Sequence, residues 1–281
     1  MIDPDWAPYI YAAVMLTAGV ACSLLLRRSQ KDLGLPASTR LLIGLSAFVG
    51  AMLGAKLPFV LADDRGPFSL AWLGHGKTIL CGLIGGYLAV EGAKWLLDVR
   101  TRLGDSYAIP VAVAVAIGRV GCFVVGCCFG TATDLPWGVT FRWAADHGTL
   151  PRHPTQLYEA GFHALMVVVL SALRARGWLV GQQLKAYLLT YLAYRFATEF
   201  IRPEAEVFAG LTAYQWGSLA LVPVFVGLWI KDRRDPRPPR GTPARQGGSG
   251  PASGPSGAAD GSASGGPSAD PAGGSGSIVR V

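Results

Sequence analysis

Seven apolar runs of membrane-crossing length follow one another along the 281 residues: 8–26, 41–61, 78–97, 107–129, 157–173, 184–201 and 211–230. A helix crosses the roughly 30 Å hydrocarbon layer with about 20 residues. Inside that layer every backbone N–H and C=O must be satisfied within the protein, so runs of this length have only the helix open to them. The fold class expected is an all-α polytopic membrane protein with about seven transmembrane helices. Composition matters at one point: 15% of residues are charged and the mean hydropathy is +0.36, whereas a soluble domain carries about 25% charge. The net charge of +7 does not point to nucleic acid, because the Lys and Arg residues gather at the ends of the apolar runs. No nucleic-acid partner is expected.

That placement of charge sets the topology. Arg27, Arg28 and Lys31 follow the first run, Arg100 and Arg102 the third, Arg174 and Arg176 the fifth, and KDRRD the seventh, while Asp3, Asp5, Asp63 and Asp64 mark the opposite ends. Basic flanks stay in the cytoplasm, which puts the N-terminus outside, the C-terminus inside and the segment 131–156 in an outer loop. The N-terminus MIDPDWAPY has no basic stretch before its apolar run, so no cleaved signal peptide is expected. Within the outer loop WGVTFRW, 137–143, alternates as a short strand does. From 232 onward the chain turns to Gly, Ser, Pro and Ala and cannot bury enough apolar surface to order itself. The expected division is an integral membrane domain over 1–231 and a disordered tail over 232–281.

Arg119 lies inside the fourth run, in GRVGCFVVGCCFG. A charge at that depth costs roughly 2.5–3.5 kcal/mol on insertion scales and marks a partner or a function. The competing reading is a packing helix with one snorkelling arginine. Gly118, Gly121, Gly126 and Gly130 surround it and permit close approach of a helix or a headgroup. In the sixth run Tyr191, Arg195 and Glu199 recur every four residues, with Arg202 three further on, so they share a helix face. Arg195 and Glu199 are spaced to pair, and a purely structural ion pair is the competing reading. Arg119 has no acid within its own run, so an anion from elsewhere is expected to meet it. Two arginines exceed what one pair needs, and guanidinium forks take phosphate oxygens two at a time. A phospholipid headgroup is the anion at hand.

Other candidates are weaker. Gly82, Gly85 and Gly86 in CGLIGG offer a close-packing face. HPTQLYE, 153–159, opens the fifth run, with Pro154 at the helix start, Thr155 as a cap and Tyr158 at the interface. A lone histidine such as His153 is more often structural than catalytic, and His163 reads as a packed residue. The five cysteines, Cys22, Cys81, Cys122, Cys127 and Cys128, are odd in number and lie in apolar runs, without CxxC or histidines at ligand spacing. They read as small hydrophobes that tolerate serine, with a redox or metal-binding role for vicinal Cys127 and Cys128 as the competing reading. No metal and no cofactor are expected.

GRVGCFVVGCCFG, HPTQLYE, CGLIGG and YLAYRFATEFIR together resemble the prolipoprotein diacylglyceryl transferase family, over roughly residues 10–230. The resemblance implies a bacterial inner-membrane, multi-pass enzyme. It would move a diacylglyceryl group from phosphatidylglycerol to the thiol of a prolipoprotein lipobox cysteine, forming a thioether and releasing glycerol 1-phosphate. Its partners would be phosphatidylglycerol, the lipobox segment and membrane lipids. It implies catalytic roles for Arg119, Arg195, Glu199, Tyr191 and His153, and substrate contacts from Gly118, Gly121, Gly82, Gly85, Gly130, Gln156, Tyr158 and Arg202. In the pattern G-R-x-G-N-F-x-N-x-E-x-x-G, Cys122 and Val125 stand at the two asparagines and Cys127 at the glutamate. Leu80 stands where the family carries a histidine before the third-run glycines. Those departures keep a second reading open, a divergent phospholipid-binding paralogue with another acceptor or no catalytic activity.

Overall fold

The computed structural model describes residues 6–62, 78–142 and 148–234. Seven α-helices carry it: α1 Ala7–Ser29, α2 Ala37–Ala62, α3 Ile79–Leu96, α4 Gly104–Val125, α5 Thr155–Ala175, α6 Gln183–Thr198 and α7 Ala213–Arg234. The all-helical membrane class expected from the sequence is the one found, and six of the seven helices are long and apolar enough to cross a membrane. The exception, α6, has 16 residues and continues into a 3-10 turn, Glu199–Ile201. At 1.5 Å per α-helical residue and about 2 Å per 3-10 residue, the two together reach about 30 Å, enough for the hydrocarbon layer. Helix α7 runs through Asp232 to Arg234, and the rest of the expected tail lies outside the described residues.

Small residues decide how the helices meet. On α2, Gly50 and Gly54 stand four apart and face Gly85 of α3. A Cβ on Gly50 would lie 2.6 Å from the Gly85 carbonyl oxygen, and one on Gly54 3.0 Å from Gly85 Cα. Gly82 and Gly86 meet Ala55 and Ala51 on the same seam. Lipid tails offer no hydrophobic drive between helices, so such backbone-to-backbone approach is what holds them. Gly118 and Gly121 do the same for α4 against α1, where Met15 and Val14 pack over them. The main core lies among α3, α4, α5, α6 and α7 and includes Leu80, Ala112, Met166, Leu170, Tyr187, Tyr191 and Phe225.

Polar contacts fix one end of the bundle. The Asp105 carboxylate at the start of α4 accepts from the backbone N–H of Gly181 at 2.5 Å and of Gln183 at 3.0 Å. Arg174 at the end of α5 reaches Ser29 at the end of α1, 3.1 Å away. Lys185 pairs with Asp232 at 2.6 Å. At the other end, residues 126–130 meet the start of α5 and the 3-10 turn after α6, through Gly130 N–H to His153 O at 2.8 Å and Thr131 N–H to Ile201 O at 2.9 Å.

Residues 137–142 do not form the strand their alternation suggests. Val139 makes a single bridge to Arg152, because Gly138 already donates to Leu135 O in a turn. The strand pair lies elsewhere, β1 Glu206–Phe208 against β2 Leu211–Thr212. Ala209 and Gly210 join them with φ of 51° and 71°, the two positive values a tight hairpin turn needs. Thr212 then starts α7 in a reciprocal cap: its N–H donates to Gln215 Oε1 at 2.9 Å and its hydroxyl accepts from Gln215 N–H at 3.4 Å. This T-x-x-Q cap was there to be read in the sequence.

Candidate active site

Two buried ion pairs form the centre. Arg119 Nη2 of α4 lies 2.7 Å from Glu159 Oε2 of α5. Arg195 Nη2 of α6 lies 2.7 Å from Glu199 Oε2. All four residues are at most 8% exposed. The carboxylates are held in turn: Tyr191 donates to Glu159 Oε1 at 2.8 Å, and Thr212 donates to Glu199 Oε1 at 2.9 Å. The Arg195 guanidinium also sits 4.7 Å over the ring of Tyr214. Both arginines act on Glu159 and on Tyr191 electrostatically, so the two pairs form one charged centre.

One expectation changes here: Arg119 meets an acid of the chain, Glu159, and Tyr191 holds that acid. Glu159 stands out in sequence only as an acid near the membrane, because spacing within one run does not reach an acid on another helix. A signal existed: Gln156, Glu159, His163, Met166 and Leu170, spaced three or four apart, are all buried on one face of α5. His163 is packed as expected, its Nδ1 2.9 Å from the Tyr187 hydroxyl and its Nε2 3.8 Å from Glu159.

The pairs leave donors over. A guanidinium has five N–H groups, more than one carboxylate takes up. Arg119 Nε is buried with no hydrogen-bond partner, and so is Gln156 Oε1. An anion entering between α4, α5 and α6 would meet oriented donors already stripped of water, where charge–charge attraction is least screened.

The segment after α4 closes over this centre. Gly126, at φ 77°, donates to Phe123 O at 3.0 Å, and Cys127 N–H donates to Cys122 O at 3.1 Å. That is the Schellman ending, which needs a glycine at the left-handed position. Cys128 is left-handed as well, at φ 62°. The chain thus folds back, and the sulfurs of Cys122, Cys127 and Cys128 all lie within 4.8 Å of one another. Vicinal Cys127 and Cys128 suggest a redox or metal pair from sequence alone, but no familiar ligand spacing adds Cys122 to them; the helix ending does. Thr155 does not cap its own helix but donates to Cys128 O at 2.8 Å. Gln156 Nε2 donates to Cys127 O at 2.5 Å, and Arg202 Nη1 to Cys128 O at 3.4 Å.

His153 and Tyr158 lie beside this segment, His153 Nδ1 3.3 Å from the Tyr158 hydroxyl, which also accepts from Trp137 Nε1 at 2.8 Å. His75, which the sequence offers beside His153 as a base for the acceptor thiol, lies outside the described residues. Gly82 and Gly85 sit on the α2–α3 seam and Gly118 and Gly121 on the α1–α4 seam. Gly130 is the tightest of the glycines near the charged centre: a Cβ would lie 2.6 Å from Ile201 O, 2.8 Å from His153 Cβ and 2.9 Å from Thr155 Cγ2. Gly130→Ala is therefore expected to cost about 1–3 kcal/mol through overpacking. Gly161→Ala, on α5 with nothing within 4 Å, should be neutral or stabilising by up to about 1 kcal/mol. Denaturant titration of the purified variants checks both, and equal midpoints would remove the packing role given to Gly130.

Comparison with known proteins follows the same stretches. The family model for prolipoprotein diacylglyceryl transferase matches residues 2–231. A phosphatidylglycerol–prolipoprotein diacylglyceryl transferase of Clostridium tetani is 30% identical over 233 residues, 79% of this chain and 91% of the relative. Relatives with the same name from Cupriavidus necator and Solidesulfovibrio magneticus are each 35% identical, over 62% and 67% of this chain and 68% and 75% of their own.

Proposed function

The chain belongs to the prolipoprotein diacylglyceryl transferase family, and from that premise we propose that it transfers a diacylglyceryl group from phosphatidylglycerol to the thiol of a lipobox cysteine in lipoprotein maturation. Membership supports transfer over the reading of a non-catalytic paralogue. It fits a multi-pass protein of a bacterial membrane, since the relatives are bacterial and six helices are long enough to span. The observation that carries the residue assignment is the charged centre of Arg119–Glu159 and Arg195–Glu199, buried between helices, with Arg119 Nε left without a hydrogen-bond partner.

In this reading Arg119 and Arg195 hold the phosphodiester. As the glyceryl carbon passes to sulfur, the phosphate leaves as a monoester and gains negative charge. Groups aimed at charge that develops only in the transition state lower the barrier most. Glu159 and Tyr191 hold Arg119 in place, and Glu199 and Thr212 hold Arg195. Arg202, Gln156 and Thr155 position the 126–130 segment, with His153 and Tyr158 beside it. The acceptor must react as a thiolate. Growth of a strain depleted of its own transferase, with this chain supplied in trans, tests the reading. Rescue with lipidated lipoprotein is expected; failure at normal protein level in the membrane would return the paralogue reading.

We place the N-terminus and the charged centre on the outer side. The basic last turns of α1, Arg27 and Arg28, and of α7, Lys231, Arg233 and Arg234, support this. Reporter fusions after Arg102 and after Arg176 should read cytoplasm, and one within 131–151 should read outside. A cytoplasmic signal from the last would put the centre on the wrong side for an exported acceptor.

A further inference from the structure

We propose that Cys122, Cys127 and Cys128 form a zinc site whose open fourth position takes the acceptor thiol; this rests on the transferase reading above. Three protein ligands plus one open position is the pattern of catalytic zinc. Zinc–sulfur bonds of about 2.3 Å at tetrahedral angles place the sulfurs about 3.8 Å apart. These three already lie within 4.8 Å of one another, so less than about 1 Å of side-chain adjustment closes the site around the ion. The set holds sulfur alone, which favours a thiophilic ion over magnesium or calcium.

The backbone is built for this convergence. The Schellman ending at Gly126 and the left-handed Cys128 turn the second and third sulfurs back toward the first. A non-glycine residue in that conformation is strained, and glycine would avoid the strain but bring no sulfur. The carbonyls of Cys127 and Cys128 are tied to Gln156, Thr155 and Arg202, so the loop is held without the ion. Three thiolates on a divalent zinc carry one negative charge, and Arg119 and Arg202 act electrostatically on Cys128 to balance it. Cys128 is exposed while Cys122 and Cys127 are half-buried, which leaves an approach for an incoming thiol.

The chemistry answers a gap in the chain. Leu80 stands where the resemblance places a histidine and is packed in an apolar core with Tyr191 and Phe225, so no proton acceptor is available from it. A thiol that coordinates zinc is deprotonated outright. The acceptor S–H proton goes to solvent as the thiolate takes the fourth position. Its lone pair then forms the S–C bond to the glyceryl carbon while the C–O bond to phosphate breaks. The bonding pair leaves on the glycerol phosphate, whose charge meets Arg119 and Arg195. Zinc remains divalent throughout, and the neutral thioether, a poor ligand, gives way to the next thiol.

The test uses the full chain in detergent, isolated under reductant. Wild type should carry about one zinc per chain, and a Cys127→Ser/Cys128→Ser double variant of equal thermal stability should fall to background. Cobalt exchanged into wild type should give sulfur-to-cobalt absorption, which a lipobox peptide shifts and the same peptide with Ser for Cys does not. Equal zinc in wild type and the double variant overturns the proposal, as does a disulfide among these three cysteines in protein isolated without reductant. Full transfer by chelator-stripped protein overturns it while leaving the transferase reading intact. A peptide-dependent cobalt shift without any transfer supports the site and defeats the transferase reading instead.

Discussion

Glu159→Gln is expected to destabilise the protein by about 3–5 kcal/mol and to abolish transfer, the largest single effect the structure implies. Glutamine keeps the size of the side chain and an acceptor for the Tyr191 hydroxyl. It removes the charge 2.7 Å from Arg119 and leaves a guanidinium, 8% exposed, without a counter-charge at that distance. Breaking one side of a buried pair costs far more than removing both sides, because the survivor keeps its desolvation penalty. An Arg119→Met/Glu159→Gln double variant, which removes both charges and keeps an acceptor for Tyr191, should therefore regain most of the stability and stay inactive. Denaturation midpoints and transfer rates on matched amounts separate the two effects. If Glu159→Gln is as stable as wild type, the pair is not the tightly buried one the distances describe. If the double variant transfers normally, neither residue belongs to the reaction.

The second large effect concerns the shape of the charge. Arg119→Lys and Arg195→Lys each keep a positive charge but lose the planar fork, with its donors fixed in one plane. Lysine can still reach the neighbouring carboxylate, so both variants should insert and fold. Transfer should drop by about 2–4 kcal/mol of barrier, or roughly 30- to 1,000-fold, the usual loss when one charge-stabilising group is removed. The loss should fall on kcat as well as on kcat/KM, because the phosphate gains its second charge only on the way to product. A rise in KM alone would make the arginines ground-state binders.

The fold was legible in the sequence to the extent that hydropathy decides it. Each of the seven apolar runs became a helix, because lipid leaves the backbone no alternative. What hydropathy does not encode is which faces meet. Gly82 and Gly85 stood out in the sequence, yet their counterparts Gly50 and Gly54 on α2, which Gly85 packs against, did not. The alternation in 137–143 suggested a strand, but a strand needs a partner row, and among its described residues only Val139 finds one. The same limit governs the centre. Arg195–Glu199 could be read from spacing along one helix. Arg119–Glu159 joins α4 to α5 across 40 residues of sequence, and periodicity carries no information about such a pairing. The three-thiol cluster depends on two departures from helical dihedrals, at Gly126 and Cys128, of which only the glycine leaves a trace in the sequence.

The central claim is that this centre transfers diacylglyceryl to sulfur, and purified chain with a lipobox peptide and phosphatidylglycerol labelled in its headgroup measures it directly. The account predicts one thioether-linked diacylglyceryl group on the peptide cysteine for each labelled glycerol phosphate released, with both signals falling together in Arg119→Lys. An unmodified peptide, under conditions where the Clostridium tetani relative modifies it, would contradict the claim.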